Sequence, residues 1–456
     1  MTVGVEERDV VILGAGVSGS STAIRLCAAG IRPLVIDKAS FPRDTIGEAL
    51  SPAVYPYLEE LGLIDVINSG EPFVKKTSFE LVAPDGTTSY THIDLTKAPY
   101  NEGRHQSPWG FNCRRRHFDM AFVERARAVG ADVRLETTVT AILTDGNGRV
   151  TGVTTDGADG PRQVRSRVLI DCSGRASILA QQLGLRAPLE HVFEGQWGNF
   201  AIRCDFHGSD RGPLAAGHAD YDPATVSILP YDDCWFWFIP ISLTEDIVSV
   251  GIVARAKMAS FLKGFDDRKD AYRTLMSKHP VLREVIRNAS MSDNIVSTSR
   301  LGHMNTRFCG DGYLCVGDAA FFADPAWATG VTICLHTSKL AAQTVIEASE
   351  LGEFSAAMLA PYEAKFRAFI SDPFNSIRAF NYYYNDSDYI NFLVRRLAEH
   401  QDEMDMVGGV IFDYISHRHF QSWTYRVFKA YYSERGRVPI MDRVSRFDYE
   451  RAPVTA

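Results

Sequence analysis

The first forty residues alternate between apolar runs and a glycine-rich break. The apolar run 10–13 predicts a buried strand, the stretch AGVSGSSTAIRLCAAG predicts a helix, and IRPLVIDK, which ends at Lys38, predicts a second strand. A strand, a tight turn, a helix and a second strand form a βαβ unit, which builds doubly wound α/β sheets.

The middle of the chain shows two further patterns. A helix is predicted from about 118 to 129, and short strands are predicted at 132–135, 150–155 and 167–171. Alternation of apolar and polar positions predicts an antiparallel sheet with one buried face, and it occurs at 200–206, 224–229, 234–241 and 247–254. The chain therefore carries a second, mixed sheet.

The α/β pattern returns late in the sequence. A strand from Tyr313 runs into a helix that begins near Thr329 and continues to Ala348, and aromatic-rich helical segments follow. These patterns predict a discontinuous α/β domain of residues 1–75, 108–190 and 295–350. They also predict a β-sheet domain of residues 76–107 and 191–294, and a helical C-terminal region of residues 351–456.

Composition excludes several classes of protein. With 456 residues the chain is too long for one simple core, and its net charge of -8 disfavours binding to nucleic acid. The N-terminus lacks a basic segment, and no apolar run approaches the length that crosses a bilayer, so we expect no membrane partner and a cytoplasmic location. The eight cysteines are scattered singly, which favours buried thiols over a metal site or disulfides.

A nucleotide fingerprint lies at the first turn. Gly14, Gly16 and Gly19 form GxGxxG between the first strand and the first helix, and Asp37 closes the next strand. The glycines allow a tight turn, close approach to a pyrophosphate and close helix packing, while the helix N-terminus favours an anion. Asp37 is able to accept a hydrogen bond from a ribose hydroxyl, so the pattern predicts dinucleotide binding.

Three further motifs indicate which dinucleotide is bound. They are GYLCVGDAA, which contains Gly317 and Asp318, VLIDCSGRAS, which contains Asp171, and the RxxFD helix start at Arg115. Their order resembles the FAD-dependent monooxygenase superfamily. The resemblance implies FAD as the cofactor and a Rossmann-like domain of the glutathione-reductase type.

Another cluster of motifs is more specific. FPRDTIGEALSP spans 41–52, CWFWFIPI contains WxWxIP from Trp235 to Pro240, FFADPAWATGV spans 321–331, and Lys76 lies in FVKK. Together these segments resemble the flavin-dependent halogenases over residues 8 to 350.

The resemblance implies a mechanism. Reduced flavin (FADH2) and O2 form a flavin hydroperoxide that oxidises chloride or bromide to hypohalous acid, and the two tryptophans discourage direct hydroxylation of the substrate. Lys76 would be the catalytic residue, either by a hydrogen bond to hypohalous acid or by forming a haloamine, with Lys75 as the alternative. The Thr329–Gly330 peptide at a helix start would bind the halide.

The cofactor contacts follow from the same motifs, and the resemblance assigns them to Gly14, Gly16, Ser18, Gly19, Asp37, Lys38, Arg43, Glu48, Arg115, Val139, Asp171, Gly317, Asp318, Gly330 and Val331. Two positions depart from the family pattern: Ala328 replaces a serine, and Trp327 stands where tryptophan halogenases have glutamate. The departures favour phenolic, pyrrolic or carrier-tethered substrates over tryptophan, and Trp327 leaves open that halide binding has been lost.

Only one dinucleotide fingerprint is visible, which predicts a separate flavin reductase as the source of reduced FAD. The alternatives are a single-component aromatic hydroxylase, a reductase of the geranylgeranyl-reductase type and a flavin-binding protein without activity. Aromatic residues of the C-terminal region, namely Phe380, Tyr382, Tyr383 and Phe392, would either cap the substrate site or form helix core.

Overall fold

The computed structural model describes residues 4–68, 73–92, 110–189, 199–216, 218–232, 234–255, 258, 264–383, 387–411 and 417–435. The strands are β1 Gly4–Leu13, β2 Leu34–Ile36, β3 Ala49–Leu50, β4 Phe73–Lys76, β5 Ser78–Val82, β6 Thr88–His92, β7 Gly110–Cys113, β8 Asp132–Arg134, β9 Thr138–Thr144, β10 Val150–Gly157, β11 Gly160–Asp171, β12 Arg186–Pro188, β13 Asn199–His207, β14 Val226–Tyr231, β15 Cys234–Ser242, β16 Ile247–Arg255, β17 Ser290–Met291, β18 Val296–Leu301, β19 His303–Asn305, β20 Cys309–Gly310, β21 Tyr313–Cys315 and β22 Phe321–Phe322.

The helices are α1 Val17–Ala28, α2 Tyr55–Glu60, α3 Ile64–Asn68, α4 Arg115–Ala128, α5 Ile178–Gln182, α6 Gly212–Ala215, α7 Arg268–Met276, α8 Pro280–Val285, α9 Gly330–Leu351, α10 Ala356–Tyr383, α11 Ser387–Glu399, α12 Gln401–Ile411 and α13 His417–Glu434. No helix within the described ranges is long and apolar enough to cross a membrane.

The first sheet is the doubly wound sheet that the sequence predicts. Its strand order is β20-β21-β11-β1-β2-β8, in which β21, β11, β1, β2 and β8 are parallel neighbours, and the β9–β10 hairpin joins β11. The apolar run 10–13 at the end of β1 is almost completely buried, because β1 lies between β11 and β2. The predicted fold class is confirmed.

The parallel strands bring distant motifs to one edge of this sheet. Gly14 follows β1, Asp37 follows β2, the segment 172–175 follows β11, and Asp318 follows β21. Because carboxyl ends of parallel strands meet at the same edge, this edge is where such folds bind their ligands.

The second sheet has the order β17-β13-β16-β15-β14-β5-β6, with β18 paired to β13. Its four central strands are the four antiparallel strands expected from the sequence, but both faces are buried instead of one. All nine residues of β15 are buried: Trp237 faces the core of the first sheet, and Phe236 packs into a second core with Tyr272 of α7. Helices α7 and α8 cover the face that was expected to meet solvent.

The predicted domain boundaries do not all coincide with the sheets. Strand β18 pairs with β13 of the second sheet, although the third α/β segment was predicted to start at residue 295. The boundary at 75/76 falls inside β4, which pairs with β7 in a small separate sheet. The three-part division remains a prediction.

The C-terminal region is helical over the described residues. Phe392 of α11 lies 6.2 Å from Tyr389 and 4.9 Å from Tyr431 of α13, measured between ring centroids, so it belongs to packing between helices. The side chains of Phe380, Tyr382 and Tyr383 lie outside the described residues. All eight cysteines are free thiols, and the described residues hold no cluster of potential metal ligands.

The second sheet buries one carboxyl group, that of Glu80. Its Oε1 accepts hydrogen bonds from Ser227 and from Tyr221, the latter at 3.2 Å, while its Oε2 has no hydrogen-bond partner among the described residues. Burial raises the pKa of Glu80 from 4.5 to about 7. The folded state therefore binds the proton more tightly than the unfolded state does, and stability is lost as the pH rises from about 4.5 through about 7.

We expect Glu80→Gln to stabilise the protein by roughly 3 kcal/mol at pH 8, because the amide avoids ionisation of the buried carboxyl group. At pH 5 the gain should fall below about 1 kcal/mol, since Glu80 is then protonated in the folded protein and the pH is only slightly above 4.5. Urea unfolding at pH 5, 6, 7 and 8 measures both values. The exposed Glu59→Gln serves as the control, and an advantage of Glu80→Gln that does not grow with pH would contradict the expectation.

Candidate functional site

A cavity of about 460 Å³ opens at the carboxyl edge of the first sheet. The first sheet contributes its glycine-rich turn and the turns after β2, β11 and β21. The second sheet contributes apolar side chains from β5, β13, β14 and β15. Twelve of the residues predicted from the sequence line this cavity, and these are Gly14, Gly16, Ser18, Asp37, Lys38, Arg43, Glu48, Lys76, Arg115, Asp318, Gly330 and Val331.

The glycine-rich turn is built for close packing. Gly14 has φ 96°, and a Cβ atom there would lie 2.4 Å from the carbonyl oxygen of Cys172. A Cβ atom at Gly19 would lie 1.8 Å from the carbonyl oxygen of Gly14. The turn leads into α1, whose first turn carries no acidic residue, so its backbone N–H groups favour an anion in the cavity.

Asp37 is held in a fixed orientation beside this turn. Its Oδ2 accepts a hydrogen bond from the backbone N–H of Ala15 at 2.8 Å, and its Oδ1 accepts one from Ala39 at 2.8 Å. Each carboxylate oxygen keeps a further lone pair, so Asp37 is able to accept a hydrogen bond from a ribose hydroxyl in the cavity.

Two arginines carry positive charge to the same end of the cavity. Arg115 binds Asp119 at 2.8 Å and donates to the carbonyl oxygen of Ile46 at 3.0 Å, which ties α4 to the segment before Gly47. Arg43 lies 3.7 Å from the same carboxylate of Asp119. Both guanidinium groups are thus positioned before any ligand enters.

The remaining five predicted residues, Gly19, Val139, Asp171, Gly317 and Thr329, lie outside the lining of this cavity. Asp171 is fully buried, and it accepts hydrogen bonds from the backbone N–H groups of Ser173 at 2.9 Å and Leu179 at 2.8 Å. Burial raises its pKa. Asp171 therefore shapes the turn after β11, and its neighbours, from Cys172 to Ala176, form the wall instead.

The two adjacent lysines of FVKK have different environments. Lys76 is 1% exposed and lies in the cavity wall, whereas the side chain of Lys75 is exposed. The cause is the strand β4, in which successive side chains point to opposite sides. Lys76 pairs with Gly110 of β7, where a Cβ atom would lie 2.9 Å from Cε of the lysine, so the glycine makes room for the buried side chain.

The part of the lining that β5 and β15 contribute is apolar and aromatic. Trp235 and Trp237 of β15 are 2% and 3% exposed, and their ring centroids are 5.7 Å apart. Phe79 of β5 and Ile239 of β15 continue the same wall. A lysine in this setting meets little water.

The segment before α9 also contributes to the lining. Asp324 accepts a hydrogen bond from the backbone N–H of Ala326 at 3.0 Å, Pro325–Trp327 forms one 3-10 turn, and Ala328 bends the chain at φ 54°. Helix α9 then begins at Gly330, where a Cβ atom would meet nothing within 4 Å. The first N–H groups of α9 lack partners within the helix, so the cavity meets a helix N-terminus here. The side chain of Trp327 lies outside the described residues.

Two charged residues of the lining, Asp119 and Arg175, were not among the site residues predicted from the sequence, and Arg175 lies outside the RxxFD motif that contains Asp119. Arg175 follows the turn after β11 and lines the cavity. Its guanidinium lies 5.7 Å from the ring centroid of Phe322 and is attracted by Asp318, but the described residues give it no ion pair. Burial lowers the pKa of Arg175. Its position directly after Gly174 in VLIDCSGRAS was the available signal.

Comparison with protein families identifies the class. Residues 7–372 match the model of the FAD binding domain, and the chain belongs to that family. It is an FAD-dependent oxidoreductase.

Within this class the chain resembles flavin-dependent halogenases. It is 28% identical over 374 residues to the 1H-pyrrole-2-carbonyl-[peptidyl-carrier protein] chlorinase of Pseudomonas fluorescens, which covers 79% of this chain and 80% of the relative. A solved triple mutant of the flavin-dependent brominase Bmp2 superposes with a TM-score of 0.73 and 25% identity, over 93% of this chain and 99% of the brominase. The resemblance predicted from the motifs is confirmed.

A reductase is also similar to the chain. Digeranylgeranylglycerophospholipid reductase 1 of Methanopyrus kandleri is 26% identical over 378 residues, which are 82% of this chain and 89% of the reductase. Overall similarity therefore does not separate the two activities, and the separation depends on the residues of the cavity.

Proposed function

We propose that this chain is an FADH2-dependent halogenase that uses O2 and chloride or bromide to halogenate an electron-rich aromatic substrate. One observation carries the proposal: a buried lysine, Lys76, lines the same cavity as Trp235, Trp237 and the start of α9. A reductase that delivers hydride to an alkene has no chemical need for a buried lysine in such a cavity.

The residues of the cavity fit FAD. The glycine-rich turn and the N-terminus of α1 suit a diphosphate, Asp37 suits a ribose hydroxyl, and Asp318 is in position to meet the ribityl chain. Bound as the reduced form with O2, FAD would supply the oxidising equivalent that converts a halide to hypohalous acid.

The chain's own residues would then direct the chemistry. The Thr329–Gly330 peptide at the start of α9 would favour a halide ion, since the first N–H groups of a helix lack partners within the helix and lie at the positive end of its dipole. The apolar wall around Trp235 and Trp237 excludes water, which would otherwise dilute hypohalous acid. Lys76 presents its amine or ammonium group to that acid and orients its halogen toward the substrate.

The proposal also includes the class of substrate and the source of reduced FAD. The Pseudomonas relative is named for a pyrrole acyl group on a peptidyl carrier protein, and we propose a phenolic or pyrrolic substrate, free or carrier-tethered, for this chain. Ala328 lacks the hydroxyl of the family's serine but leaves the backbone donors of α9 in place. A separate flavin reductase would deliver FADH2.

The test uses the full chain with FAD, NADH, a flavin reductase, bromide or chloride, and phenol or pyrrole probes. Mass spectrometry should show product that carries the isotope pattern of the halogen. Hydroxylated product with NADPH and no reductase would indicate the single-component hydroxylase instead. Reduction of a geranylgeranyl substrate without halogenation would indicate the reductase, and either result overturns the halogenase proposal.

Arg175 provides a test of the cofactor site that does not depend on turnover. We expect Arg175→Gln to weaken FAD binding by about 10- to 100-fold, because the guanidinium of Arg175, which makes no ion pair with the other described residues, would form a charge-assisted hydrogen bond to an anionic cofactor in the cavity. Flavin fluorescence titration measures the affinity. Arg165→Gln removes an exposed arginine from β11 and should bind FAD as the native chain does, whereas equal affinities for both variants would exclude a role for Arg175.

A further inference from the structure

The indole of Trp237 lies flat over a glycine of the neighbouring strand. Trp237 of β15 pairs with Gly251 of β16, and a Cβ atom at Gly251 would lie 2.2 Å from Cζ2 of the indole. Any larger residue at position 251 would therefore push the ring away from the sheet. The position of this part of the cavity wall depends on the absence of a side chain beneath it.

A serine holds the polar edge of the same ring. The indole Nε1–H donates to Oγ of Ser249 at 3.2 Å, and the Ser249 hydroxyl donates to Oε1 of Glu48 at 2.7 Å. An indole N–H is only a donor, and the single hydroxyl hydrogen of Ser249 is directed at the carboxylate. The direction of this bridge is fixed from Trp237 through Ser249 to Glu48.

The far end of the bridge is also anchored. Oε1 of Glu48 lies 3.0 Å from Nε of Arg203, and Oε2 accepts a hydrogen bond from the backbone N–H of Gly47 at 2.8 Å. Glu48 and Arg203 are 1% and 2% exposed. Moving the carboxylate would weaken a buried ion pair, which is costly, so Glu48 is a rigid support for Ser249.

We propose that Ser249 is a positioning residue that holds Trp237 against Gly251 and thereby fixes the width of the cavity beside the cofactor. Ser249 does not itself line the cavity, so it acts through the residues at its two sides. One side is the cavity wall at Trp237, and the other is Glu48, which belongs to the segment proposed to contact FAD. The consequence for product choice rests on the proposed function, whereas the position of the ring does not.

The first measurement follows the ring directly. In Ser249→Ala the indole loses its acceptor, and we expect collisional quenching of Trp237 by acrylamide to rise about fivefold, as loss of one buried hydrogen bond allows. The chain has five other tryptophans. The emission of Trp237 is therefore obtained as a difference: the emission of Trp237→Phe is subtracted from that of the native chain, and the emission of Ser249→Ala/Trp237→Phe is subtracted from that of Ser249→Ala. Ser227→Ala removes an equally buried hydroxyl from the opposite face of the same sheet and should leave the quenching unchanged.

The second measurement follows the product. The quantity measured is the ratio of hydroxylated product plus hydrogen peroxide to halogenated product. If the chain halogenates, Ser249→Ala should raise this ratio about fivefold. Ser249→Thr keeps the hydroxyl group and should show the native ratio. The double variant Ser249→Ala/Trp237→Phe should match Trp237→Phe, because both changes break the same bridge.

The two measurements test different claims, so either claim can be overturned without the other. Absence of halogenation in the native chain overturns the proposed function, but the quenching experiment still tests the bridge. Unchanged quenching in a folded Ser249→Ala, or additive effects in the double variant, overturns the role of Ser249. If Ser249→Ala does not fold, the product ratio of Trp237→Phe is compared with that of Ser249→Thr. A native product ratio in Trp237→Phe would overturn the proposed role of Ser249.

Discussion

Replacing Lys76 with methionine is expected to lower halogenation by about 10²- to 10⁴-fold while FAD binding persists, the range found when a positioned acid–base group is removed. Methionine matches the unbranched apolar stem of lysine up to Cε, so the cavity wall should stay packed around Phe79 and Trp237. The substitution removes the nitrogen that would meet hypohalous acid and places a thioether sulfur at the δ position. Single-turnover halogenation with pre-reduced FAD measures the chemical step apart from the flavin reductase.

The neighbouring lysine is the matched control for this prediction. Lys75→Met changes the same residue type one position earlier, on the exposed side of β4, and should halogenate at the native rate. Flavin fluorescence should give the same FAD affinity for both variants. If Lys75→Met loses activity and Lys76→Met keeps it, the assignment is reversed, and if both keep it, the lysine has no part in the chemistry.

The sequence alone did not decide which of these two lysines faces the cavity. The run FVKK predicts a lysine near the cofactor but leaves the choice open between adjacent residues. The choice depends on the register of β4 against β7, where Gly110 opposes Lys76 and leaves space for its side chain. This pairing joins residues 34 positions apart, and strands β5 and β6 of another sheet lie between them in the sequence.

The cofactor motifs were easier to predict, because each one is local. Gly14, Asp37 and Asp318 each follow a strand, and parallel pairing alone brings such positions to one edge. Asp171 follows the same rule, yet its carboxylate turns inward to the N–H groups of Ser173 and Leu179. Whether an acid at a strand end faces the cavity or the turn behind it depends on the next few backbone dihedral angles, which the pattern does not encode.

Side-chain contacts between segments far apart in the chain could not be predicted from the sequence. The bridge from Trp237 to Glu48 joins residues 189 positions apart through Ser249. Serine is common in strands for many reasons, so its type alone carried no signal. The burial of both faces of β15 was missed for a related reason: the alternation in CWFWFIPIS is between two kinds of apolar residue, and helices α7 and α8 cover one of the faces.

The glycine-rich turn permits a prediction of comparable size to that for Lys76. In Gly14→Ala the new methyl group would lie 2.4 Å from the carbonyl oxygen of Cys172, at a residue with φ 96°. Backbone atoms cannot rotate away as a side chain does, so β1 or the turn after β11 must shift. Since both flank the cavity, we expect FAD affinity to fall by at least about 100-fold, which corresponds to misplacing several hydrogen bonds to the cofactor at once.

Gly30→Ala separates crowding from backbone strain in this prediction. Gly30 follows α1 with φ 82°, but a Cβ atom there would meet nothing within 4 Å. Both variants carry the strain of a left-handed alanine, about 1 kcal/mol, and only Gly14→Ala adds the clash with Cys172. Thermal unfolding should therefore show a modest loss for Gly30→Ala with native FAD affinity. If the two variants lose FAD equally, strain alone explains the effect, and the close approach of β1 to the turn after β11 is not what shapes the cofactor site.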